Sequence, residues 1–333
     1  MNLIARFLAV LLPLALLAPV ADAATPAGEA TKTARNGGAV KRKVATVVAK
    51  RKRAAPATPV ATVPSFGQVA GLHRKADPLE LKSSVALVVD QETREVLFRK
   101  NDHAVLPIAS LTKLMTGLLI NEANLDMNEP IQITQEDVDT EKGSRSRLKV
   151  GTELTRGELM HLALMSSENR AAHALGRTYP GGTVAFVQAM NAKAQLLGLH
   201  NAKFVDPTGL APGNVASPQD LALLVSAAST FPQIREFSTA QQLHVTLASG
   251  GRSMGFNNTN VLVRSEGWHI GLSKTGFINE AGKCLVMHAT IANNPVVIVL
   301  LDSWGKLTRV GDANRIKRWL ETQKIAAISA KHG

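Results

Sequence analysis

The strand-forming stretches of this chain lie at its two ends, and a long helical block separates them. Ser84-Val-Ala-Leu-Val-Val-Asp90 and Glu95-Val-Leu-Phe98 flank the polar turn Gln91-Glu-Thr-Arg94, which predicts a hairpin. Strand patterns return only at Leu243–Leu247, Val261–Val263, His269–Lys274, Leu285–Ile291 and Val296–Leu301. Between them, helical patterns run over about Ser110–Ala123, Thr155–Met165, Asn169–Arg177, Val184–Leu197 and Pro218–Ser229. Ser217-Pro218 reads as an N-cap followed by proline at the first helical position. A last helix is expected over about Asp312–Ile325. The two ends must therefore share one antiparallel sheet, flanked by helices. The middle forms an inserted helical lobe of about 124–240, which makes an α+β fold. The cleft between sheet and lobe is where a site belongs.

Three short strings fall around that cleft. Ser110-Leu-Thr-Lys113 opens a helix whose apolar stripe is Leu111, Leu114, Met115, Leu118 and Leu119. A hydroxyl and an amine three residues apart share one helix face. The amine can then take the serine proton as the oxygen attacks a carbonyl. Taken alone the pair is a weak signal, since a helix-capping serine beside a solvated lysine gives the same letters. The spacing also occurs at Ser146/Lys149 and Ser303/Lys306, but neither opens an apolar helix. Ser167-Glu-Asn169 lies in a break between two helical patterns, where it can aim a hydroxyl and an amide into a cleft or merely cap a helix. Lys274-Thr-Gly276 comes near the end of a strand-like run. A strand edge can pair with an extended peptide, and Gly276 permits close backbone approach. The trio in this order is a specific signal where its members are not.

A rival nucleophile is Ser253 in Gly251-Arg-Ser-Met-Gly255, which fits G-x-S-x-G. That elbow needs a following helix, yet Phe256-Asn-Asn-Thr-Asn260 is turn chemistry, so a glycine-rich hairpin turn is expected. The nine histidines show no metal spacing, and His161 and His173 read as core or surface residues; no metal and no cofactor are expected. Cys284 is the one cysteine, at the head of the apolar run Leu285-Val-Met287. It excludes an intrachain disulfide and reads as a small buried hydrophobe.

Residues 1–23 have the form of a secretory signal: Arg6, an apolar run Phe7–Leu17 broken by Pro13, and a small-residue cleavage site at Ala21-Asp-Ala23. The run is too short to span a bilayer, which takes about 20 residues. The net charge of +12 is concentrated in 24–64, where nine Lys and Arg face only Glu29 and leave +8. That stretch has no aromatic residue, so it is expected to be a disordered basic linker before a catalytic domain at 65–333. As a solvated spacer it would do nothing more; as a polycation it would attract acidic wall polymer or anionic lipid. Without aromatics in an exported chain, nucleic acid is not expected as a partner.

The stretch Pro107-Ile-Ala-Ser-Leu-Thr-Lys-Leu-Met-Thr116 resembles the active-site segment of low-molecular-mass penicillin-binding proteins, the D-Ala-D-Ala peptidase family S11. Leu164-Met-Ser-Ser-Glu-Asn-Arg-Ala-Ala172, Phe204-Val-Asp-Pro-Thr-Gly-Leu210 and Gly271-Leu-Ser-Lys-Thr-Gly-Phe277 extend the likeness, which covers roughly Ser84–Ser303. It is nearest the D-alanyl-D-alanine endopeptidase branch of the penicillin-binding protein 7/8 type. The resemblance implies the β-lactamase/DD-peptidase-like fold and a serine peptidase of peptidoglycan cross-links that β-lactams acylate. Ser110 would be the nucleophile and Lys113 its base, its pKa lowered by burial and by Lys274. Ser167 would pass a proton to the leaving amine, and Asn169 would orient substrate or Lys113. Lys274 and Thr275 would hold the substrate's carboxylate, Gly276 would let the backbone approach it, and the N–H groups of Ser110 and Phe277 would form the oxyanion hole.

A carboxypeptidase trimming stem peptides is the alternative within the family. A β-lactamase would need a deacylating Glu, and Asp206–Gly213 holds none. A non-catalytic wall-binding protein is a third option, against which the intact motifs count. With a leader at one end and about one helix after Asp302, the expected location is the periplasm, without a C-terminal anchor.

Overall fold

The computed structural model describes residues 63–246, 251, 253–305 and 307–332, with side chains in the last helix as far as Gln323. The expected leader at 1–23 and nearly all of the basic linker lie outside the described residues. Five strands form the main sheet: β1 (Ser83–Asp90), β2 (Val96–Lys100), β3 (His269–Ile278), β4 (Gly282–Ile291) and β5 (Asn294–Ser303). Their order is β2-β1-β5-β4-β3, and every pairing is antiparallel. The first strand pairs with the last, as Val85 with Leu301 and Val88 with Ile298, so the chain ends meet in the middle of the sheet.

The strands that sit centrally are apolar at nearly every position because both faces are covered. Val85, Leu87, Val286, Val297 and Val299 point into one core. Ala86, Val88, Leu285, Met287 and Ile298 point into a second. The first core lies under the helical lobe: α1 (Lys113–Glu122), α2 (Arg156–Met165), α3 (Asn169–Arg177), α4 (Gly182–Leu196), α5 (Pro218–Ala228) and α6 (Pro232–Thr239). The second lies under α7 (Thr308–His332), where Trp319 meets Phe98 edge-on at 5.9 Å. Among the described residues no helix is long and apolar enough to cross a membrane.

Two expectations need correction. Val261–Arg264 is a 3₁₀ turn, not a strand. The Asn258 side chain accepts from the Asn260 N–H, and Asn260 in turn accepts from the Leu262 N–H. These Asx bonds bend a segment whose apolar letters suit a strand. The helix expected from Ser110 starts as the 3₁₀ turn Ala109–Thr112, and the α-helix begins at Lys113. The glycine-rich Gly251–Gly255 stretch runs into a strand, Ser253–Asn257, paired with Gln242–Thr246. The hairpin is as expected, though it has more strand than its turn-like letters suggest. No helix follows Ser253, so it does not stand on a hydrolase elbow. α6 was missed, although Pro232 at its first turn is a start signal.

Candidate active site

The turn that carries Ser110 is held from below. Leu106-Pro107 pairs with Val215-Ala216, and the Ile108 N–H donates to the Asn214 carbonyl at 3.0 Å. Ala109 then takes a left-handed conformation, φ +48°, which costs a non-glycine residue of order 1–3 kcal/mol. In the 3₁₀ turn that follows, side chains at i and i+3 eclipse. This is why Lys113 Nζ sits 2.9 Å from Ser110 Oγ, more directly beneath it than an α-helix would place it.

Two further acceptors meet that amine: Asn169 Oδ1 and the Thr208 carbonyl, both at 2.7 Å. A neutral amine has two N–H donors and one lone pair. With the donors directed at Asn169 and Thr208, the lone pair is left facing the Ser110 hydroxyl. Lys113 is fully buried. Burial pulls its pKa from 10.5 down to about 7, against the opposing pull of the Asp206 and Glu168 carboxylates. Burial is thus the main cause, as expected. The repulsion between the two lysines is expressed instead on Lys274, which is lowered well below its usual value first by burial, then by Lys113 and Arg309.

Ser167 stands in the break between α2 and α3 with φ +62°, a second strained residue at this cleft. Its Oγ accepts from Lys274 Nζ at 2.9 Å, and Lys274 also donates to the Thr275 carbonyl at 2.8 Å. Asn169 heads α3, and its Nδ2 donates to Ser144 Oγ at 2.9 Å. Thr275 Oγ1 donates to Thr259 Oγ1 at 2.7 Å. β3 is an edge strand, so its outer side is open to an added strand. A Cβ on Gly276 would lie 2.9 Å from the Ile108 carbonyl oxygen and 3.2 Å from the Ser110 nitrogen. The glycine therefore lets the strand reach the Ser110 turn, next to the N–H of Phe277. The structure thus brings all eight expected residues, Ser110, Lys113, Ser167, Asn169, Lys274, Thr275, Gly276 and Phe277, to one cleft.

Sequence reasoning missed the loop beneath Lys113. Asp206 Oδ1 accepts from Thr208 N–H, Thr208 Oγ1 and Gly209 N–H, while Oδ2 accepts from Ala211 N–H and Asn214 Nδ2. That knot holds the Thr208 carbonyl on Lys113, and Thr116 Oγ1 pins the neighbouring Pro207 carbonyl at 2.7 Å. Asp206-Pro-Thr-Gly209 was singled out only for the family likeness and for its lack of a Glu; which side chain its carbonyls meet was not legible. Arg309 at the start of α7 was missed as well. It donates to the Gly276 carbonyl at 3.2 Å and adds positive charge beside Lys274.

The competing serines have other partners. Ser146 Oγ donates to Glu168 Oε2 at 2.8 Å, and Ser303 Oγ shares a hydrogen bond with Thr308 Oγ1 at 2.7 Å. Burial pushes the Cys284 thiol up to about 12, which suits a packing residue and not a nucleophile.

The model of the family Peptidase_S11, D-alanyl-D-alanine carboxypeptidase, matches residues 72–305. A D-alanyl-D-alanine endopeptidase of Pseudomonas aeruginosa is 46% identical over 251 residues, 75% of this chain and 81% of that protein. A D-alanyl-D-alanine endopeptidase of Escherichia coli is 42% identical with the same coverage. The crystal structure of the Streptomyces K15 DD-transpeptidase superposes with a TM-score of 0.68 at 26% identity, covering 74% of this chain and 98% of that one.

Proposed function

The chain belongs to the D-alanyl-D-alanine carboxypeptidase family of peptidases, S11, and from that premise we propose how its residues carry a serine DD-peptidase reaction. The activity is D-alanyl-D-alanine peptidase chemistry on peptidoglycan peptides, and endopeptidase cleavage of cross-links is the reading that the most similar relatives favour. Ser110 Oγ attacks the D-Ala carbonyl carbon and passes its proton to Lys113 Nζ. The N–H groups of Ser110 and Phe277 receive the oxyanion. Ser167 passes a proton to the leaving amine, Asn169 orients Lys113, and Lys274 with Thr275 holds the carboxylate next to the scissile bond. Water then hydrolyses the acyl-enzyme. β-Lactams enter the same path and stop at the ester.

One observation carries this reading: an amine 2.9 Å from a serine hydroxyl, buried until its pKa falls to about 7. A base works best when its pKa lies near the operating pH. The bonds made by both oxygens of Asp206 speak against a deacylating carboxylate in that loop, and so against a β-lactamase. Digestion of purified cross-linked murein tests the reading. Wild type should release uncross-linked muropeptides and Ser110→Ala none. Release of terminal D-Ala from intact cross-links would instead make the protein a carboxypeptidase.

The location goes with the substrate. Residues 1–23 act as a cleaved leader to the periplasm, and 24–64 serve as a basic tether to anionic envelope polymer.

A further inference from the structure

Next to the cleft, on the far side of Phe277 from Lys274, the surface opens into a cavity of about 530 Å³. Val63, Phe277, Asn279, Lys283 and Trp304 line it, over a floor that includes Asp302. Three of these are large apolar side chains left open to solvent: Val63 is 67% exposed, Phe277 54% and Trp304 46%. Exposed apolar residues gathered in one hollow mark a binding surface more often than scattered ones do. Lys283 pairs with Phe277 across β3 and β4, and its Nζ lies 4.1 Å from the Phe277 ring centroid. Among the described residues no carboxylate pairs with it. Asp302 is buried, and Ser65 Oγ donates to its Oδ1, so its charge is turned to the floor.

The direction of the substrate follows from the site. On the reading above, Lys274 and Thr275 hold the leaving-side carboxylate and the Phe277 N–H receives the scissile oxygen. Along the edge of β3, therefore, the leaving side lies toward 274 and the acyl side lies beyond 277. A strand advances about 3.3 Å per residue. The stretch from Phe277 to Asn279 thus faces the residues just before the scissile D-Ala. Past Trp304 the surface continues into a second hollow of mixed charge, where Arg74, Lys75 and Lys82 lie with Asp77 and Glu80.

We propose that this cavity is an acyl-side subsite for an acidic peptide, with Lys283 receiving a carboxylate one or two residues before the scissile D-Ala and Trp304 packing on the adjoining chain. The inference rests on the peptidase reading and deepens it. It accounts for a cation that meets an aromatic ring but, among the described residues, no carboxylate at an apolar hollow. It also separates selection of the acyl arm from the catalytic groups.

The test uses two soluble cross-linked peptides, identical except for a carboxylate or a carboxamide on the acyl-side residues. Wild type should prefer the carboxylate form in kcat/KM by about fivefold, the scale of one partly exposed ion pair. Lys283→Gln should erase the preference and Lys283→Glu should reverse it. Trp304→Ala should raise KM for both peptides while kcat changes little. Acylation by a penicillin with a small neutral side chain should be unchanged in all three variants, which shows an intact fold and machinery. A carboxylate preference that survives in Lys283→Gln overturns the subsite alone. Removal of residues 24–62 that raises kcat/KM for the acidic peptide would assign the cavity to the chain's own N-terminal segment and overturn it as well. Wild type that neither cleaves the peptides nor is acylated would sink the peptidase reading, and the subsite with it.

Discussion

Lys113 should control the rate of acylation through its own titration. At its ordinary value of 10.5, a lysine would hold about 0.03% of its molecules neutral at pH 7, whereas at about 7 it holds half. The neutral fraction is then about 9% at pH 6 and about 91% at pH 8. The second-order acylation rate should therefore rise about tenfold between those pH values and then level off. A fluorescent penicillin is a suitable probe, because its carboxylate does not titrate in this window. Gel or stopped-flow detection of the covalent product reads the rate. Glu168→Gln sharpens the test. The Glu168 charge favours the protonated amine, and its removal should move the midpoint below that of wild type. The Arg147 N–H can still donate to the amide oxygen and Ser146 Oγ can accept from the amide nitrogen, so the fold should survive. Stability has its own sign. Between about 7 and 10.5 the unfolded chain binds a proton that the native state does not, so stability should rise with pH across that window. The full span corresponds to about 5 kcal/mol for this buried group. A wild-type rate that is flat from pH 5.5 to 8.5, or a Glu168→Gln midpoint that stays put or rises, would refute the assignment of Lys113 as a base tuned by burial.

Lys113→Arg should abolish acylation, because guanidinium does not release its proton near neutral pH, whereas Lys274→Arg should keep measurable acylation with weaker substrate binding; equal, total loss in two folded variants would contradict these unlike roles. Gly209→Ala should destabilise by more than about 2 kcal/mol and slow acylation. Gly209 has φ +80°, and its Cβ would fall 1.9 Å from the Ala109 carbonyl oxygen, so a thermal melt matching wild type would refute that clash. Removing residues 24–62 should leave turnover of a small substrate unchanged but reduce co-sedimentation with intact sacculi at low salt. Exposed charges are screened beyond about 10 Å at roughly 0.1 M salt, so the difference should fade as salt rises, and equal sedimentation at low salt would leave the segment a plain spacer.

Much of the architecture was legible because its signals are local. The hairpin of β1 and β2 showed as two apolar runs about a polar turn, and α3 was bounded correctly from Asn169 to Arg177. That the two chain ends share one sheet followed from having strands at both ends and helices between; that β1 pairs with β5 did not. In two places where the reading failed, local geometry had overruled the pattern. Asn260 turned Val261–Arg264 into a 3₁₀ segment, and the left-handed Ala109 delayed α1 until Lys113.

The sequence by itself determined which groups are candidates for the chemistry, since a hydroxyl, an amine and a glycine-bearing strand edge are each spelled out in their own motif. Only the tertiary structure decided what those groups are worth. The loss of water around Lys113 depends on α1, α3 and the Asp206 loop closing over it, and those segments are remote in sequence. The same holds for Arg309, which nothing in its own neighbourhood marks and which reaches the Gly276 carbonyl only because α7 lies over the sheet. Residue type is fixed by the chain, but desolvation and charge proximity are properties of distance, and distance between remote residues exists only once the chain has folded.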